Sequence, residues 1–262
     1  MHHLNKQMFV SGVFSMDRLA GKVSLITGGA RGMGAAHARL FVSEGSRVVL
    51  TDMLEDEGEA LAAELGSDAL FLKHDVASRD DWTRVVGESE ARFGPITIAV
   101  NNAGVLGPSA MTADLSDEDW DRIIAINQTG VFYGMRSVIP SMLRAGIGSI
   151  VNISSVAGTG VPRGAPNLAY VASKFAVRGM TKLVAGQYGK HGIRANAVLP
   201  GFIETPMATA VGSQRGLREQ MTMLRRIGEP GEVSELVLFL ASDAASYITA
   251  SDHLIDAGLM AE

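Results

Sequence analysis

The sequence predicts one doubly wound α/β domain, in which a parallel β-sheet carries helices on both faces. Short runs rich in Val and Ile alternate along the chain with longer amphipathic stretches, and this alternation is typical of βαβ crossovers. A glycine-rich segment lies between the first such run and the first amphipathic stretch. No internal repeat or polar linker divides the 262 residues, a length that suits one large domain.

The alternation of apolar runs and amphipathic stretches predicts the strands and helices in chain order. Strands are predicted at residues 22–27, 47–51, 69–73, 96–100, 149–153 and 194–199. Helices are predicted at residues 32–44, 55–65, 79–93, 117–144 (with a possible break) and 168–191. Strands that alternate with helices of this length pair in parallel, because each crossover returns the chain to the same edge of the sheet.

Residues 1–15 are expected to be an N-terminal extension, and the domain is expected to cover residues 16–262. The apolar stretch at residues 8–14 lacks the length and the cleavage pattern of a secretory signal. Met16 directly precedes a sensible start for the domain.

The composition argues against several classes of function. A net charge of −5 is unlike that of nucleic-acid binders, which carry a concentrated basic patch. The chain has no cysteine, and its six histidines are scattered, so neither disulfides nor a metal site is predicted. No apolar run approaches the ~20 residues of a membrane helix. We therefore expect a cytoplasmic protein without nucleic-acid or membrane partners.

The glycine-rich segment predicts a dinucleotide site. A predicted strand runs into Gly28-Gly29-Ala30-Arg31-Gly32-Met33-Gly34 and then into a helix. Glycine allows the sharp turn, and it lets a pyrophosphate approach the positive end of the helix without a Cβ in the way. A turn without a ligand is the alternative, but the order of strand, glycines and helix favours the site.

Asp52, at the end of the second predicted strand, favours NAD over NADP. An acid at this place accepts the hydroxyls of the adenosine ribose and repels a 2′-phosphate. Arg31 argues the other way, since a guanidinium in the glycine loop can meet a 2′-phosphate. A solvated Asp at a strand end is also common. Because residue 53 is Met and not a base, NAD is the preferred prediction and NADP the weaker one.

Tyr170 and Lys174 are candidates for acid–base chemistry. They are four residues apart on a predicted helix, which places them on one face, one turn apart. A phenol with its ordinary pKa of about 10 is a poor base at neutral pH, and a nearby ammonium favours the phenolate. Surface pairs of this kind are frequent on helices, so the pair alone does not establish a catalytic site.

Seven short motifs occur in one order along the chain. They lie at residues 27–34 (Thr-Gly-x-x-x-Gly-x-Gly), 75–76 (Asp-Val), 101–104 (Asn-Asn-Ala-Gly), 127 (Asn), 154–158 (Ser-Ser-x-x-Gly), 170–174 (Tyr-x-x-x-Lys) and 200–205 (Pro-Gly-x-x-x-Thr). In these motifs the chain resembles the short-chain dehydrogenase/reductase family, over residues 16–262. The resemblance implies a single Rossmann-type domain and an oxidoreductase that moves hydride between NAD(H) and a secondary alcohol or ketone.

The resemblance also implies roles for single residues. Tyr170 would exchange a proton with the substrate oxygen, Ser155 would hydrogen-bond that oxygen, and Lys174 would lower the tyrosine pKa and hold the nicotinamide ribose. Asn127 would keep a water in a proton relay behind Lys174. Ile203 and Thr205 would fix the carboxamide of the nicotinamide. The cofactor-binding residues predicted from the loop and the resemblance are Gly28, Arg31, Gly32, Met33, Gly34, Asp52, Asp75, Val76, Asn102, Ala103, Gly104, Tyr170, Lys174, Pro200, Gly201, Ile203 and Thr205.

Two features depart from the family pattern. The spacing from Ser155 to Tyr170 is slightly longer than usual, and the additional residues fall in a Gly/Pro-rich loop at residues 159–168. If this loop shifts the assignment, Ser154 replaces Ser155 as the catalytic serine. Near the C-terminus the chain reads Asp256-Ala257-Gly258, where relatives usually have two glycines after the aspartate.

Three other functions are alternatives to this one. An NADPH-dependent β-ketoacyl reductase shares the fold, but it favours a base where Asp52 and Met53 lie. A dinucleotide-binding regulator without turnover typically lacks the tyrosine or the lysine, and both are present here. A serine hydrolase would need a Gly-x-Ser-x-Gly segment, which does not occur.

The substrate is expected to be a hydrophobic secondary alcohol or ketone: cyclic, aryl or steroid-like. Residues 202–227 correspond to the segment that folds over the substrate in the family, and their apolar content suits a flexible lid. The apolar residues expected around the substrate are Val105, Leu106, Val156, Met207, Val211, Met221, Met223 and Leu224. Core packing explains each of them equally well. The resemblance further implies a homotetramer, formed through helices near residues 121–144 and 168–191.

Overall fold

Seven parallel strands form one sheet in the order β3-β2-β1-β4-β5-β6-β7. The computed structural model describes residues 17–160, 165–209 and 215–261; the predicted extension at residues 1–15 lies outside them. The strands are β1 (Val23–Thr27), β2 (Arg47–Asp52), β3 (Ala69–Lys73), β4 (Ile98–Asn101), β5 (Gly148–Ile153), β6 (Ile193–Pro200) and β7 (Asp252–Ile255). The chain reverses its direction of winding between β1 and β4, which pair directly. In open α/β sheets such a reversal creates a crevice at the carboxyl ends of the strands.

Nine α-helices lie in the described ranges. They are α1 (Gly32–Ser43), α2 (Glu55–Leu65), α3 (Arg79–Phe93), α4 (Asp117–Ile124), α5 (Gly130–Ala145), α6 (Leu168–Tyr188), α7 (Pro206–Thr209), α8 (Arg215–Met221) and α9 (Pro230–Ala241). Among the described helices, none is both long enough and apolar enough to cross a bilayer.

The two faces of the sheet are buried in two separate cores. One core contains Phe41 of α1, Leu50 of β2 and Val237 of α9. The other contains Trp82 of α3 and Val177 of α6. Burial on both faces explains why the strands are continuous apolar runs, as in β1, where all five residues are buried. The predicted doubly wound class is therefore confirmed.

The predicted elements agree with the structure to within two residues at most ends, with three differences. The helix predicted at residues 117–144 is two helices, α4 and α5, joined by a π-helical turn at Ala125–Thr129. The 3₁₀ turn Gly189–His191 ends the helix predicted at residues 168–191. The prediction omitted α7, α8, α9 and β7.

Candidate active site

Two adjoining cavities open at the carboxyl ends of the central strands. The first, which we call the glycine-loop cleft, has a volume of about 350 Å³. The second, which we call the tyrosine pocket, has a volume of about 160 Å³. Met33, Thr205 and Met207 line both cavities, so a ligand that fills the cleft can present one end to the pocket.

The cavities bring together most of the predicted site residues. The cleft is lined by Gly28, Arg31, Gly32, Met33, Asp52, Asp75, Val76, Asn102, Ala103, Gly104 and Thr205. The pocket is lined by Ser155, Tyr170, Pro200, Gly201 and Ile203, together with Met33 and Thr205. Gly34, Asn127 and Lys174 are buried behind these walls.

Glycine is required at two places, one in the loop between β1 and α1 and one in the first turn of α1. Gly28 has a φ of +63°, and a Cβ there would lie 2.8 Å from the Cα of Ala103. A Cβ on Gly34 would lie 1.9 Å from the carbonyl oxygen of Gly28. Helix α1 starts at Gly32 without a side-chain cap on its first amides, and uncapped amides at a helix N-terminus favour an anion such as a pyrophosphate.

Asn102 fixes the glycine loop to the end of β4. Its Nδ2 donates to the carbonyl oxygens of Thr27 and Gly28 at 2.9 and 3.0 Å. The Oγ1 of Thr27 accepts the amides of Asn102 and Ala103, both at 3.1 Å. The Oδ1 of Asn102 is buried and accepts no hydrogen bond from the described residues, which leaves an acceptor beside the cleft.

Asp52 places its carboxylate on the wall of the glycine-loop cleft. Its Oδ2 accepts the amide of Ala30 at 3.1 Å, and its Oδ1 accepts the amide of Met53 at 2.8 Å. These bonds, with the amide of Leu54 as a second donor to Oδ1 at 3.2 Å, hold the carboxylate in place. Its Oδ2 retains a lone pair for a ribose hydroxyl. The exposed side chain of Arg31 lines the same cleft. The glycine turn, the uncapped N-terminus of α1 and the Asp52 carboxylate all line the cleft. With these groups the cleft fits a nicotinamide dinucleotide.

Tyr170 lies in the first turn of α6 because Asn167 caps that helix. The Oδ1 of Asn167 accepts the amide of Tyr170 at 2.8 Å, while its Nδ2 donates to the carbonyls of Leu106 and Pro108. An asparagine N-cap satisfies a free amide of the first turn. Asn167 therefore joins the helix that carries Tyr170 to the loop that follows β4. Asn167 was not predicted as a site residue, although an Asn directly before a predicted helix was the available signal.

The two neighbouring serines after β5 make different contacts. The Ser155 side chain hydrogen-bonds the Tyr170 hydroxyl, and its Oγ also accepts the amide of Ala157 at 3.2 Å. The Ser154 hydroxyl donates to the carbonyl oxygen of Lys174 at 2.8 Å. The contact with Tyr170 favours Ser155 over Ser154 as the residue that meets a substrate oxygen.

Lys174 is buried with only 4% of its surface exposed, and it lies behind Tyr170. Its Nζ donates to the carbonyl oxygen of Ile153 at 3.0 Å and lies 5.6 Å from the centre of the Tyr170 ring. Burial lowers the pKa of Lys174 to about 8. The lysine thus exchanges its proton close to neutral pH.

Burial dominates the pKa of Tyr170. Burial raises it above its ordinary value, and the hydrogen bond with Ser155 opposes this rise only in part. The expectation that Lys174 lowers the tyrosine pKa stays a prediction, and in this structure burial has the larger effect. The physical reason is that a buried phenolate loses more hydration than one hydrogen bond returns.

Asn127 lies in the π-helical turn between α4 and α5. Its Oδ1 accepts the amide of Val105 at 2.8 Å, and its Nδ2 donates to the carbonyl of the same residue at 2.8 Å. Its Nδ2 also lies 3.4 Å from the Oγ of Ser173. Asn127 thus fixes the segment after β4 beside the helix that carries Lys174. Short π-helical turns inside helices are frequent at functional sites.

The wall of the tyrosine pocket is mainly apolar, but it differs in detail from the predicted one. Leu106, Val156 and Met207 line it as expected, whereas Val105 lines the glycine-loop cleft. Met223 and Leu224 lie outside the lining and are largely exposed, and Val211 lies outside the described residues. Phe202 and Arg218 belong to the lining and were not identified as site residues from the sequence. Arg218 belongs to no motif, so the sequence carried no signal for it.

Comparisons with known proteins agree with this arrangement. A family model described as "Enoyl-(Acyl carrier protein) reductase" matches residues 28–260. The 3-alpha-(or 20-beta)-hydroxysteroid dehydrogenase of Mycobacterium bovis is 45% identical over 247 residues, which cover 93% of this chain and 91% of the relative. The trans-4-hydroxycyclohexanecarboxylate dehydrogenase of Sinomonas cyclohexanicum is 43% identical over 252 residues, with coverages of 92% and 94%.

A third relative differs in the cofactor that its name gives. The NADP-dependent (R)-specific alcohol dehydrogenase of Lentilactobacillus kefiri is 38% identical over 254 residues, which cover 94% of this chain and 99% of the relative. The match of the family model and these similarities span nearly the whole chain. The chain therefore belongs to the short-chain dehydrogenase/reductase family of oxidoreductases.

Proposed function

We propose that the protein transfers hydride between NAD(H) and a hydrophobic cyclic, aryl or steroid-like secondary alcohol or ketone, with Tyr170 as the general acid and base. One observation carries the proposal. The Tyr170 hydroxyl, hydrogen-bonded by Ser155, belongs to an apolar pocket that adjoins the glycine-loop cleft. A nicotinamide dinucleotide bound in that cleft supplies or accepts the hydride.

The protein's own residues handle the proton and the substrate oxygen. During reduction, Tyr170 donates its phenolic proton to the carbonyl oxygen, and during oxidation it takes the proton of the alcohol. Ser155 donates a hydrogen bond to the same oxygen and stabilises charge that develops on it. Because burial raises the pKa of Tyr170, the free protein keeps this proton at neutral pH, and oxidation is expected to accelerate toward alkaline pH.

Lys174 and Asn127 act behind the tyrosine in this proposal. Lys174, with its pKa lowered to about 8, returns a proton to Tyr170 after reduction and contacts the nicotinamide ribose. Asn127 keeps Val105 and the neighbouring Gly104 in place and holds a relay water. Intact tyrosine and lysine in this geometry argue against a regulator without turnover.

NAD is the proposed cofactor because Asp52 supplies a fixed carboxylate on the wall of the cleft. Such a carboxylate binds the ribose hydroxyls and repels a 2′-phosphate. The exposed Arg31 on the same wall favours NADP, and one relative bears an NADP-dependent name. We rank Asp52 above Arg31, because its position is held by main-chain amides.

The substrate is proposed to be cyclic and mainly apolar. Lining residues such as Leu106, Val156 and Phe202 provide an apolar wall, and two relatives are named for a hydroxysteroid and a hydroxycyclohexane acid. A volume of about 160 Å³ lies below the roughly 300–1,000 Å³ of sites for drug-sized ligands. A single ring therefore suits the pocket best.

The homotetramer is likewise a proposal. Two long helices, α5 and α6, expose apolar side chains: Phe132, Phe175 and Leu183 are between 42% and 63% exposed. Apolar side chains grouped on an exposed face are typical of interaction surfaces. Sedimentation at micromolar concentration tests the proposal, and a monomer would overturn it.

The reaction is tested by absorbance at the reduced-nicotinamide band. The panel contains NAD or NADP with cyclohexanol, cyclopentanol, a hydroxysteroid, a 1-aryl ethanol and a sugar alcohol, and in the reverse direction an acetoacetyl thioester with NADPH. The proposal expects turnover of the cyclic or aryl alcohols with NAD. A clear preference for the thioester with NADPH would instead favour a β-ketoacyl reductase.

A further inference from the structure

Arg218, on α8, contributes the one charged side chain among the described residues that line the tyrosine pocket. The other lining residues are apolar, apart from Ser154, Ser155, Thr205 and Tyr170. An arginine in such a wall is not needed to bind a purely apolar alcohol. The presence of Arg218 therefore indicates that the pocket recognises an additional group on the substrate.

Within the described parts of the chain, Arg218 pairs with no carboxylate. Its Nη1 donates to the carbonyl of Ala208 at 3.1 Å, and its guanidinium carbon lies 5.6 Å from the centre of the Phe202 ring. These contacts hold the side chain beside the pocket. One hydrogen bond engages only part of the guanidinium, which has five N–H donors.

Three acids in the segment of the chain that contains Arg218 pair with other arginines. Glu204 and Glu219 pair with Arg215, and Glu232 pairs with Arg226. Arg215 belongs to the same helix, α8, as Arg218. Helix α8 thus has one arginine neutralised by the protein and another that lies half-buried at the pocket with its charge uncompensated by the described residues.

The charge of Arg218 fits a carboxylate best. A guanidinium binds a carboxylate through two parallel hydrogen bonds, and partial removal from water strengthens such a pair. The phenol of Tyr170 and the hydroxyl of Ser155 come from α6 and the turn after β5, whereas Arg218 approaches from α8. A substrate that meets both walls carries its anionic group away from the carbon that bears the hydroxyl.

We propose that Arg218 is a specificity residue that binds a carboxylate on the substrate ring, so that the substrate is a single-ring hydroxy acid or keto acid and not a neutral alcohol. This inference rests on the proposed function, which it narrows to an anionic substrate class. The carboxylate does not react, so Arg218 contributes binding and orientation and leaves the acid–base step to Tyr170.

The test compares two substrates that differ only in charge, 4-hydroxycyclohexanecarboxylate and 4-hydroxycyclohexanecarboxamide. In the unchanged protein, kcat/KM is expected to be roughly 10- to 100-fold higher for the acid, the range for a hydrogen bond to a charged group. Arg218→Met should abolish this preference, mainly by raising KM for the acid. Arg218→Lys should keep part of the preference, because the charge remains without the planar fork.

Two controls keep the test specific. Arg215→Met removes an exposed arginine of the same helix that is already paired, and it should leave the preference for the acid unchanged. Cyclohexanecarboxylate, which has no hydroxyl to oxidise, should inhibit turnover of the amide competitively and raise the melting temperature, and Arg218→Met should lose both effects.

The outcomes separate this inference from the function on which it rests. Equal kcat/KM for acid and amide in the unchanged protein, or a preference for the acid that survives Arg218→Met, would overturn the role of Arg218. If the amide is turned over in either of these cases, the proposed function still stands. Failure of both substrates and of the neutral alcohols, with NAD and with NADP, would overturn the proposed function and this inference together.

Discussion

The Ser154 hydroxyl donates a 2.8 Å hydrogen bond to the main-chain carbonyl of Lys174. This bond joins the end of β5 to the second turn of α6, the helix that carries both Tyr170 and Lys174. Its neighbour Ser155 bonds the Tyr170 hydroxyl instead. Two adjacent serines therefore make separate contacts with α6: Ser154 holds the main chain at Lys174, and Ser155 contacts the side chain of Tyr170.

Substitution of the two serines should separate these tasks. Ser155→Ala is expected to lower kcat roughly 100- to 1,000-fold, since it removes a donor to the charge that develops on the substrate oxygen. Ser154→Ala should instead lower the free energy of unfolding by about 1 kcal/mol, with a much smaller loss of kcat. Steady-state kinetics and urea unfolding measure the two effects. A greater loss of kcat in Ser154→Ala would assign the catalytic role to Ser154.

Asp52→Asn should reduce the preference for NAD. The amide keeps the shape of the side chain but loses the charge that binds the ribose hydroxyls and repels a 2′-phosphate. The ratio of kcat/KM for NAD to that for NADP is expected to fall roughly 10- to 100-fold. Asp56→Asn, in the first turn of α2 and outside the cleft lining, is the matched control. An unchanged ratio in Asp52→Asn would remove Asp52 from cofactor recognition.

Ala257→Gly should stabilise the protein. Ala257 has a φ of +54°, a left-handed conformation that costs L-residues free energy, and its carbonyl accepts the amides of Met223 at 2.9 Å and Leu224 at 3.4 Å. Glycine keeps these bonds and relieves the strain, so the free energy of unfolding should rise by about 0.5–1 kcal/mol, after the greater freedom of the unfolded chain is deducted. Ala60→Gly, in the regular helix α2, should show the opposite sign. A lower free energy of unfolding in Ala257→Gly would show that the backbone at Ala257 is not strained.

His37 should make the fold sensitive to acid. Burial lowers its pKa from an ordinary 6.5 to about 3, its Nδ1 bonds the Ser234 hydroxyl at 2.7 Å, and its Nε2 has no partner among the described residues. Between these two pKa values the unfolded chain binds a proton that the folded protein does not. The contribution of neutral His37 to the free energy of unfolding is thus complete above pH 6.5 and is lost as the pH falls toward 3.

The measurement is the free energy of unfolding against pH for the unchanged protein, for His37→Gln and for His191→Gln as an exposed control. The difference between His37→Gln and the unchanged protein should shift by about 2–3 kcal/mol between pH 7 and pH 4.5. Parallel pH profiles for the two proteins would show that His37 does not contribute.

The sequence was sufficient to predict the class of the fold and most of the residues that line the two cavities. The glycine loop, Asp52 and the Ser/Tyr/Lys motifs are short and follow strands or lie at helix starts, and the carboxyl ends of parallel strands meet at one edge of the sheet. Helix α9 was missed because Val237 and Leu238 are among many apolar residues buried there, so it lacks a clear polar face. Strand β7 was missed because it has only four residues, of which the first two, Asp252 and His253, are polar.

Other features depended on the tertiary structure. The upward shift of the pKa of Tyr170 results from burial by the walls of the site, which the spacing of Tyr170 and Lys174 does not show. The different contacts of Ser154 and Ser155 depend on which hydroxyl meets the Lys174 carbonyl and which meets the Tyr170 side chain. Arg218 acquires its role only because α8 brings it to the tyrosine pocket while Arg215, three residues away, faces Glu204 and Glu219.

Tyr170→Phe tests the central claim most directly, because it removes one hydroxyl and leaves the ring and the cofactor cleft in place. Two quantities are measured on the same preparation: turnover of a cyclic alcohol, and the binding of NADH by fluorescence titration. The account predicts a loss of at least roughly 100-fold in kcat, the scale of general acid–base catalysis, with an unchanged dissociation constant for NADH. Near-normal turnover in this variant would contradict the assignment of Tyr170 as the acid and base.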